Sequence, residues 1–388
     1  MDVYLLDRQT FRRSLLVDDF ESMIWTERFA DVGDFQLVIA STERTRSIFS
    51  VGTMLQIQKS NRVMTTTRIV DQYDDNDNRM LTVIGKSLES ILQSRVARLT
   101  MLGSEAESKW TLSGTPKGIA EAIFVHICVN GALGLGDRIP YYYPGNFYPE
   151  DTLPYINSTI TTDITSTTVF DAIKSLCDSY GMGFRLVRRG DADEVYFNIY
   201  TGRDRTIAQS SLPIVVFSPD LDNLSRVSRV DSNDNHKNVA IVTGKDISIT
   251  VYGPDARADV MGFNRKVIHL TASDVVGTDE AAIEALKQYG LSELANHTII
   301  KAFDGEISQD SAYQYGVDYD LGDMIELRTD YGETNNMRVT EQTFVHDAQG
   351  ERSYPTLVID VIVTPGSWGS WDALDSWAGA DGTWADHE

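Results

Sequence analysis

Val51-Gly52-Thr53-Met54-Leu55-Gln56-Ile57 and Leu321-Gly322-Asp323-Met324-Ile325-Glu326-Leu327 are the two stretches whose reading decides the fold. Each runs apolar, glycine, polar, and then continues with the period of two at which a β-strand sends successive side chains to opposite faces. Similar elements follow each stretch in the same order: 65–70 corresponds to 337–340, the polar loop 74–79 to 347–352, and 80–84 to 356–359. The spacings differ by only a few residues. Strand–turn–strand is a common pattern, so one pair of like hairpins means little, but this ordered series predicts two related β domains in one chain.

Outward from the first stretch, residues 3–84 keep the strand period: Phe35, Leu37 and Ile39 face one way, with Gln36 and Val38 between them. That pattern reads as antiparallel strands with one wet face. Asp74-Asp75-Asn76-Asp77-Asn78 separates two such runs, as a hairpin loop does. The middle of the chain differs. Pro116 suits a first helical turn, Ile119, Ala120, Ile123, Phe124 and Ile127 recur at helical spacing, and Gly131 ends the run. A second helix opens at Thr168 and Asp171, carries Val169, Ile173, Leu176, Cys177 and Tyr180 on one stripe, and stops at Gly181. Strands at 183–187 and 195–200 flank Arg188-Arg189-Gly190-Asp191, and a last helix is expected over 279–295 before the strands return. The fold class is therefore α+β, mainly β. Residues 1–103 are read as the first β domain, 104–210 as a small α+β domain between the two, 211–365 as the second β domain with one helix, and 366–388 as a tryptophan-rich acidic tail.

A chain of 388 residues, 42% of them hydrophobic, has enough apolar surface for packed cores, so disorder is not the default reading. Asp2, Asp7, Arg8, Arg12, Arg13, Asp18 and Asp19 interrupt any apolar run a signal peptide needs, and no later segment approaches a membrane span. Synthesis in the cytoplasm is expected. The 57 acidic and 34 basic side chains give a formal charge of −23, which repels DNA phosphates where a nucleic-acid binder attracts them. Such a surface does suit a wall that DNA slides past. Cys128 and Cys177 sit within apolar helical patterns and read as buried thiols, which removes disulfide and redox chemistry from consideration.

Catalysis requires convergent reactive groups. The six histidines are scattered without a zinc-binding spacing, and His126 and Cys128, two apart on a helix, point to different faces. Asp74–Asn78 and Asp231-Ser232-Asn233-Asp234-Asn235 lack the Gly and Glu positions of an EF-hand loop, and read as Asx turns. Gly131, Gly134 and Gly136 follow a helix and not a strand, the wrong context for a dinucleotide fingerprint. No catalytic, cofactor-binding or metal-binding residue is assigned, and no cofactor is expected. Two segments read as interface candidates. Tyr141, Tyr142, Tyr143, Phe147 and Tyr148 form a dense aromatic loop that either anchors a partner or folds back on its own domain. Trp368, Trp371, Trp377 and Trp384 are spaced among Gly, Ser and Ala in a segment without Lys or Arg. They either dock on another subunit or protein, or pack on their own chain, or lie in a disordered end.

Three stretches carry a resemblance to a known family: Val3-Tyr4-Leu5-Leu6-Asp7 with Trp25–Phe29 and Gly33–Leu37; then 200–206 with 216–218, Asn223-Leu224 and 238–244; and then Tyr315–Asp323 with its Gly-Asp strand opening. In order and spacing these resemble the Gp37-like siphophage tail family and its relatives among baseplate hubs and tail-associated lysins. The resemblance implies a structural virion protein at the tail tip, without enzymatic activity. It also implies a homotrimer in which each subunit gives two tube-type β domains, so that three chains meet a hexameric tail tube. Expected partners are the distal tail or tail-tube protein, the tape-measure protein, and fibre or receptor-binding proteins, with DNA passing through the central channel without specific binding. Rival readings are a tail-associated cell-wall hydrolase and a receptor- or carbohydrate-binding tail protein. For the first, residues 366–388 leave little room for a catalytic domain.

Overall fold

Gly52 and Gly322 both take a left-handed backbone, φ 84° and 86°, in the computed structural model of the chain. The structure describes residues 2–74, 76–100, 110–144, 151–164, 167–189, 193–253, 262–272, 275–295, 297, 300–307, 313–329 and 334–358. Around each glycine the same three hydrogen bonds form. Gly52 N donates to Thr66 O (2.7 Å), Thr66 N to Thr53 O (2.8 Å) and Thr53 N to Ser50 O (2.9 Å); Gly322 N donates to Val339 O (2.8 Å), Val339 N to Asp323 O (3.0 Å) and Asp323 N to Asp320 O (3.1 Å). A side chain with Cβ disfavours this backbone, which is why glycine opens both strands.

The two strands that follow have matching partners. Met54–Ile57 runs antiparallel to Arg62–Tyr73 with Met54 opposite Thr65, and Met324–Arg328 runs antiparallel to Thr334–Asp347 with Met324 opposite Arg338. Both long strands then shift register at the same place against their hairpin partners. The shift falls between Thr66 and Arg68 against Arg79–Ser87, and between Val339 and Glu341 against Gly350–Val358. Two more strands extend each set, Asp34–Ala40 and Ser22–Arg28 in the first, Ile300–Ile307 and Leu224–Ser232 in the second. The repeated β unit read from the sequence is thus present as two meanders of the same strand order.

The meanders meet in one seam. Ser22–Arg28 lies antiparallel to residues 341–346, so both belong to a single continuous sheet. Trp25 stacks on Phe344 at 4.6 Å, Thr26 faces Thr343 (Oγ1 to Oγ1, 3.2 Å), and Arg28 donates from Nε to Glu341 Oε2 at 2.6 Å. Beneath the first meander, Met23, Trp25, Leu37, Leu55 and Ile57 form a buried core; beneath the second, Phe217, Tyr319, Leu321, Ile325 and Leu327 form another.

The middle unit builds a third core. Thr115 accepts from Gly118 N and caps Pro116–Phe124, while Thr168 accepts from Asp171 N and caps Val169–Ser179. Ile119, Ile123 and Phe124 of the first helix and Ile173, Leu176 and Cys177 of the second lie in this core, where Phe124 stacks on Phe197 at 3.9 Å. Phe197 belongs to the hairpin of Gly183–Arg188 and Val195–Tyr200, which is buried along its whole length and touches the large sheet where Val187 opposes Arg62.

The structure differs from the sequence reading in three places, the first being the helix read through Ile127, which is α-helical over Pro116–Phe124 and continues as a π-helix over Val125–Val129. Residues 347–352 do not form a loop like 74–79: Asp347 pairs directly with Gly350, Gly350 takes φ 106°, and only Ala348 and Gln349 make the turn. Arg79 and Glu351 therefore stand at like positions, and Ile84 matches Thr356 where the sequence aligned Met80. The helix Glu280–Ala295, expected simply to precede the returning strands, packs through Leu286 and Leu294 on Ala240, Val242 and Val251. These residues lie on a separate sheet, with Val239–Thr243 between antiparallel Ser248–Tyr252 and parallel Val267–Thr271. A parallel pair needs a crossover and an apolar cover, and local periodicity does not reveal which strand will supply its partner.

The paired glycines make a comparative test. A Cβ on Gly52 first meets the flexible Arg8 guanidinium, at 2.7 Å, whereas a Cβ on Gly322 meets the Phe29 ring at 2.5 Å, with Tyr200 behind it at 3.2 Å. Gly52→Ala is expected to lose about 1–2 kcal/mol from backbone strain, and Gly322→Ala about 1–3 kcal/mol more from overpacking. Denaturant unfolding of both variants checks this; equal losses would contradict the packing difference.

Candidate functional site

Where the three cores meet, the chain buries charge. Arg62 begins its long strand, Glu27 lies on the seam strand and Glu89 opens the 3-10 segment Leu88–Ser94; all three are under 5% exposed. Arg62 Nε donates to Glu27 Oε2 at 3.2 Å and Nη1 to Glu89 Oε1 at 2.9 Å. Further donors reach the same two carboxylates. Leu186 N donates to Glu89 Oε1 (2.8 Å), Tyr315 OH to Glu27 Oε2 (2.9 Å) and Trp25 Nε1 to Glu27 Oε1 (3.3 Å). Burial pushes the Tyr315 phenol well above its ordinary value, so it stays a donor here.

A second cluster lies around the Gly322 turn. Asp323 accepts from Arg203 N (2.8 Å) and Asp320 N (3.1 Å), with the Arg203 and Arg205 guanidiniums at 3.3 and 3.6 Å. Burial nevertheless pushes its carboxyl up to about 6, with Asp320 adding to the effect against the pull of the two arginines. At Asp320 burial also opposes ionisation, but Arg185 at 3.1 Å and the Leu321 N–H at 2.8 Å outweigh it and hold the carboxyl below its ordinary value. Arg338 Nη1 donates to both Thr201 O (2.5 Å) and Gly322 O (2.8 Å), tying the middle hairpin to the turn. Arg188 reaches Phe11 O, Gln56 Oε1 and Asp193 Oδ1 at 3.1–3.2 Å. Each acid meets an arginine, an arrangement suited to clamping units together and unlike a carboxylate pair poised for proton transfer.

Reactive side chains are held apart from one another. A His126 ring nitrogen lies 3.1 Å from Leu99 O and its ring packs on Trp110 at 4.5 Å; Cys128 is buried, its thiol pushed up to about 12 by desolvation. Cys177 is likewise free and buried, and burial raises its thiol. Among the described residues no three His, Cys, Asp or Glu side chains group as metal ligands, and no helix is long and apolar enough to cross a membrane.

Of the aromatic loop, Tyr142 is partly buried against the middle core, 5.4 Å from the Phe124 ring. Tyr141, at φ 61°, stacks on Phe11 and its hydroxyl donates to Gln9 O; Tyr143 lies 5.6 Å from Tyr196. Tyr141 and Tyr143 remain 39% and 48% exposed, so among the described residues Tyr142 turns inward and its two neighbours stay partly outside. Phe147, Tyr148, Trp368, Trp371, Trp377 and Trp384 lie outside the described residues.

Residues 2–357 match the family described as Siphovirus ReqiPepy6 Gp37-like protein. The chain belongs to that family. No curated protein matches this Gp37-like chain. Its fold is similar to that of a tail protein from Neisseria meningitidis MC58, with a TM-score of 0.57 at 13% identity over 94% of this chain and 98% of the other. A 43 kDa tail protein of prophage MuSo2 from Shewanella oneidensis gives a TM-score of 0.58 at 10% identity over 94% and 100%. A chain of the Francisella PdpA-VgrG complex gives 0.50 at 9% identity, covering 92% of this chain and 52% of that one. At such identities the likeness is one of fold.

The buried charges of the Gp37-like chain escape sequence reading, because Arg62 finds its acids 35 and 27 residues away and Arg338 finds Thr201 at a separation of 137. Buried lone charges are far more expensive than buried pairs, and this yields a measurable expectation. Arg62→Leu should destabilise the chain by about 3–5 kcal/mol, since it strands Glu27 and Glu89. The triple change Arg62→Leu with Glu27→Gln and Glu89→Gln should recover part of that loss. Unfolding midpoints report both; a triple variant less stable than the single one would refute the clamp.

Proposed function

We propose that this protein is a structural subunit of the tail tip of a long-tailed phage, a hub that joins the tail tube to the adsorption apparatus. The observation that carries the reading is the doubled meander. One chain holds two modules with the same glycine turn, the same strand order and the same register shift. Three such chains present six like modules, which converts three-fold symmetry below into quasi-six-fold symmetry toward a hexameric tube. The family membership and the fold shared with phage tail proteins support this role.

On this reading residues 1–103 and 211–365 supply the two tube-type modules, 104–210 the inserted α+β unit and 366–388 a strap. The protein acts in the virion as a homotrimer around the DNA channel and is not an enzyme. Its neighbours are the distal tail or tail-tube protein, the tape-measure protein and a fibre or receptor-binding protein. A formal charge of −23 suits a passage through which DNA must move without adhering. The partly exposed Tyr141 and Tyr143 of the aromatic loop and the four tryptophans of the strap are the contacts we assign to partners. A buried indole removes about 150–250 Å² from water, so four of them can hold a flexible strap in place.

Native mass spectrometry together with projection images of the purified protein should give a three-chain particle with a central opening. Monomers in assembled tail tips would sink the hub reading, and digestion of cell walls by the pure protein would return the enzyme to consideration.

Removing residues 366–388 should leave the unfolding midpoint of the subunit unchanged while lowering its incorporation into tails. Unaltered assembly would reject the strap, and collapse of the isolated subunit would assign the tryptophans to its own core.

A further inference from the structure

The small sheet of Val239–Thr243, Ser248–Tyr252 and Val267–Thr271 has the helix Glu280–Ala295 on one face. Ala240, Val242, Val251 and Leu270 turn to that helix, so the alternate residues of the same strands form the other face. The register sets Thr250 and His269 on either side of Ile241, with Tyr252 and Val267 in the next row. Ile241 and Val267 are 36% and 38% exposed, and Phe263, four residues before Val267, is fully exposed. No Asp, Glu, Lys or Arg stands on this face. An apolar centre depleted of charge has the composition of an interface core. Cations border it. Lys237, Lys245, Arg265 and Lys266 lie beside the strand ends, with the Arg265 guanidinium 5.9 Å from the Tyr252 ring. Among the described residues of 236–272 the one acid is Asp246, which already accepts from Gly277 N at 2.8 Å. In a chain of formal charge −23 such a border is a local reversal of sign.

The chain carries the chemical complement of this face and leaves the large sheet beside it. Val358, the last described residue, opposes Ala302, two positions along the strand from Ile300, which opposes Ser232. Ser232 and Ile300 are the rung from which the small unit is suspended, and Lys237 N, donating to His297 O at 2.8 Å, closes its neck. Trp368 follows Val358 by ten residues, about 33 Å of extended chain. Residues 366–388 hold four tryptophans, five acids and no Lys or Arg. We propose that the open face of the small sheet is the platform on which this segment of the same chain docks, indoles over Ile241, Val267 and Phe263, carboxylates toward the bordering cations. The inference rests on the strap reading above and names the surface that holds the strap until a tail partner takes it. A short tether keeps the segment at high local concentration, so it outcompetes other acidic peptides for the face. Its removal bares a surface and opens no core, in keeping with the unchanged midpoint expected above.

The double variant Thr250→Cys with Ser370→Cys, oxidised with diamide, tests the platform; Thr250 is exposed and both native cysteines are buried. Peptide mass spectrometry should find position 250 joined to 370, non-reducing gels should show the product as a single chain, and about 0.5 M salt should slow the reaction several-fold by screening. Ser113→Cys with Ser370→Cys, whose first position is exposed on a strand of the middle unit, should link at least ten-fold more slowly. Equal rates for the two pairs, or a rate indifferent to salt, would overturn the proposal. So would covalent dimers joining 250 of one chain to 370 of another, which give the segment to a neighbouring copy. If 250 stays unlinked while truncated chains still fail to enter tails, the platform falls and the strap stands. If 250 links while truncated chains assemble normally, the platform stands and the strap's part in assembly falls.

Discussion

The rest of the molecule depends on the pairing of Ser22–Arg28 with residues 341–346. It joins segments more than 300 residues apart, so forming it carries a loop-closure cost that the local hairpins do not. The clamp at Arg62 lies just behind it, with Glu27 as a member of both structures. Because the seam strand supplies Trp25 to one face and Glu27 to the buried cluster, the two meanders cannot separate without exposing an aromatic stack and stranding a charge.

Beside the Trp25–Phe344 stack, polar groups perform much of the joining, and apolar groups the filling. Each meander and the middle unit has its own hydrophobic core, while Arg62, Arg185, Arg188, Arg205 and Arg338, all under 5% exposed, lie at the boundaries between them. Guanidinium geometry suits that position, because its fan of donors reaches carbonyls and carboxylates on several elements at once. Relative placement of the units is thereby specified by direction as well as by contact area.

The sequence revealed what depends on near neighbours. The glycine turn at 52 and 322, the strand period after it and the capped helices at Thr115 and Thr168 are local features, and each reappears in the structure. The hairpin at 347–350 reads as a longer loop in the sequence because Asp347, Gln349 and Gly350 carry loop chemistry, while two of them stand in strands. Strand order across the seam, the parallel pair Val239–Thr243 and Val267–Thr271, and the acid partners of Arg62 were not legible, since each is settled by residues far along the chain. For the candidate contacts, composition found the aromatic loop, but only packing separates the inward Tyr142 from its exposed neighbours.

The two hairpin tips are one place where the modules differ. In the first, Asp74 accepts from the backbone of both Asn76 and Asn78 at 2.8 Å and stiffens a wide acidic tip; in the second, Asp347 pairs with Gly350 across two residues. On the trimeric reading proposed above, modules that share a strand order and differ at this tip would let an assembly tell alternate positions apart. Around a ring of such modules the rim would rise and fall with half the periodicity of the wall. A partner shaped to the wide tip would then find a seat at every second module, while the strand order beneath repeats at every one.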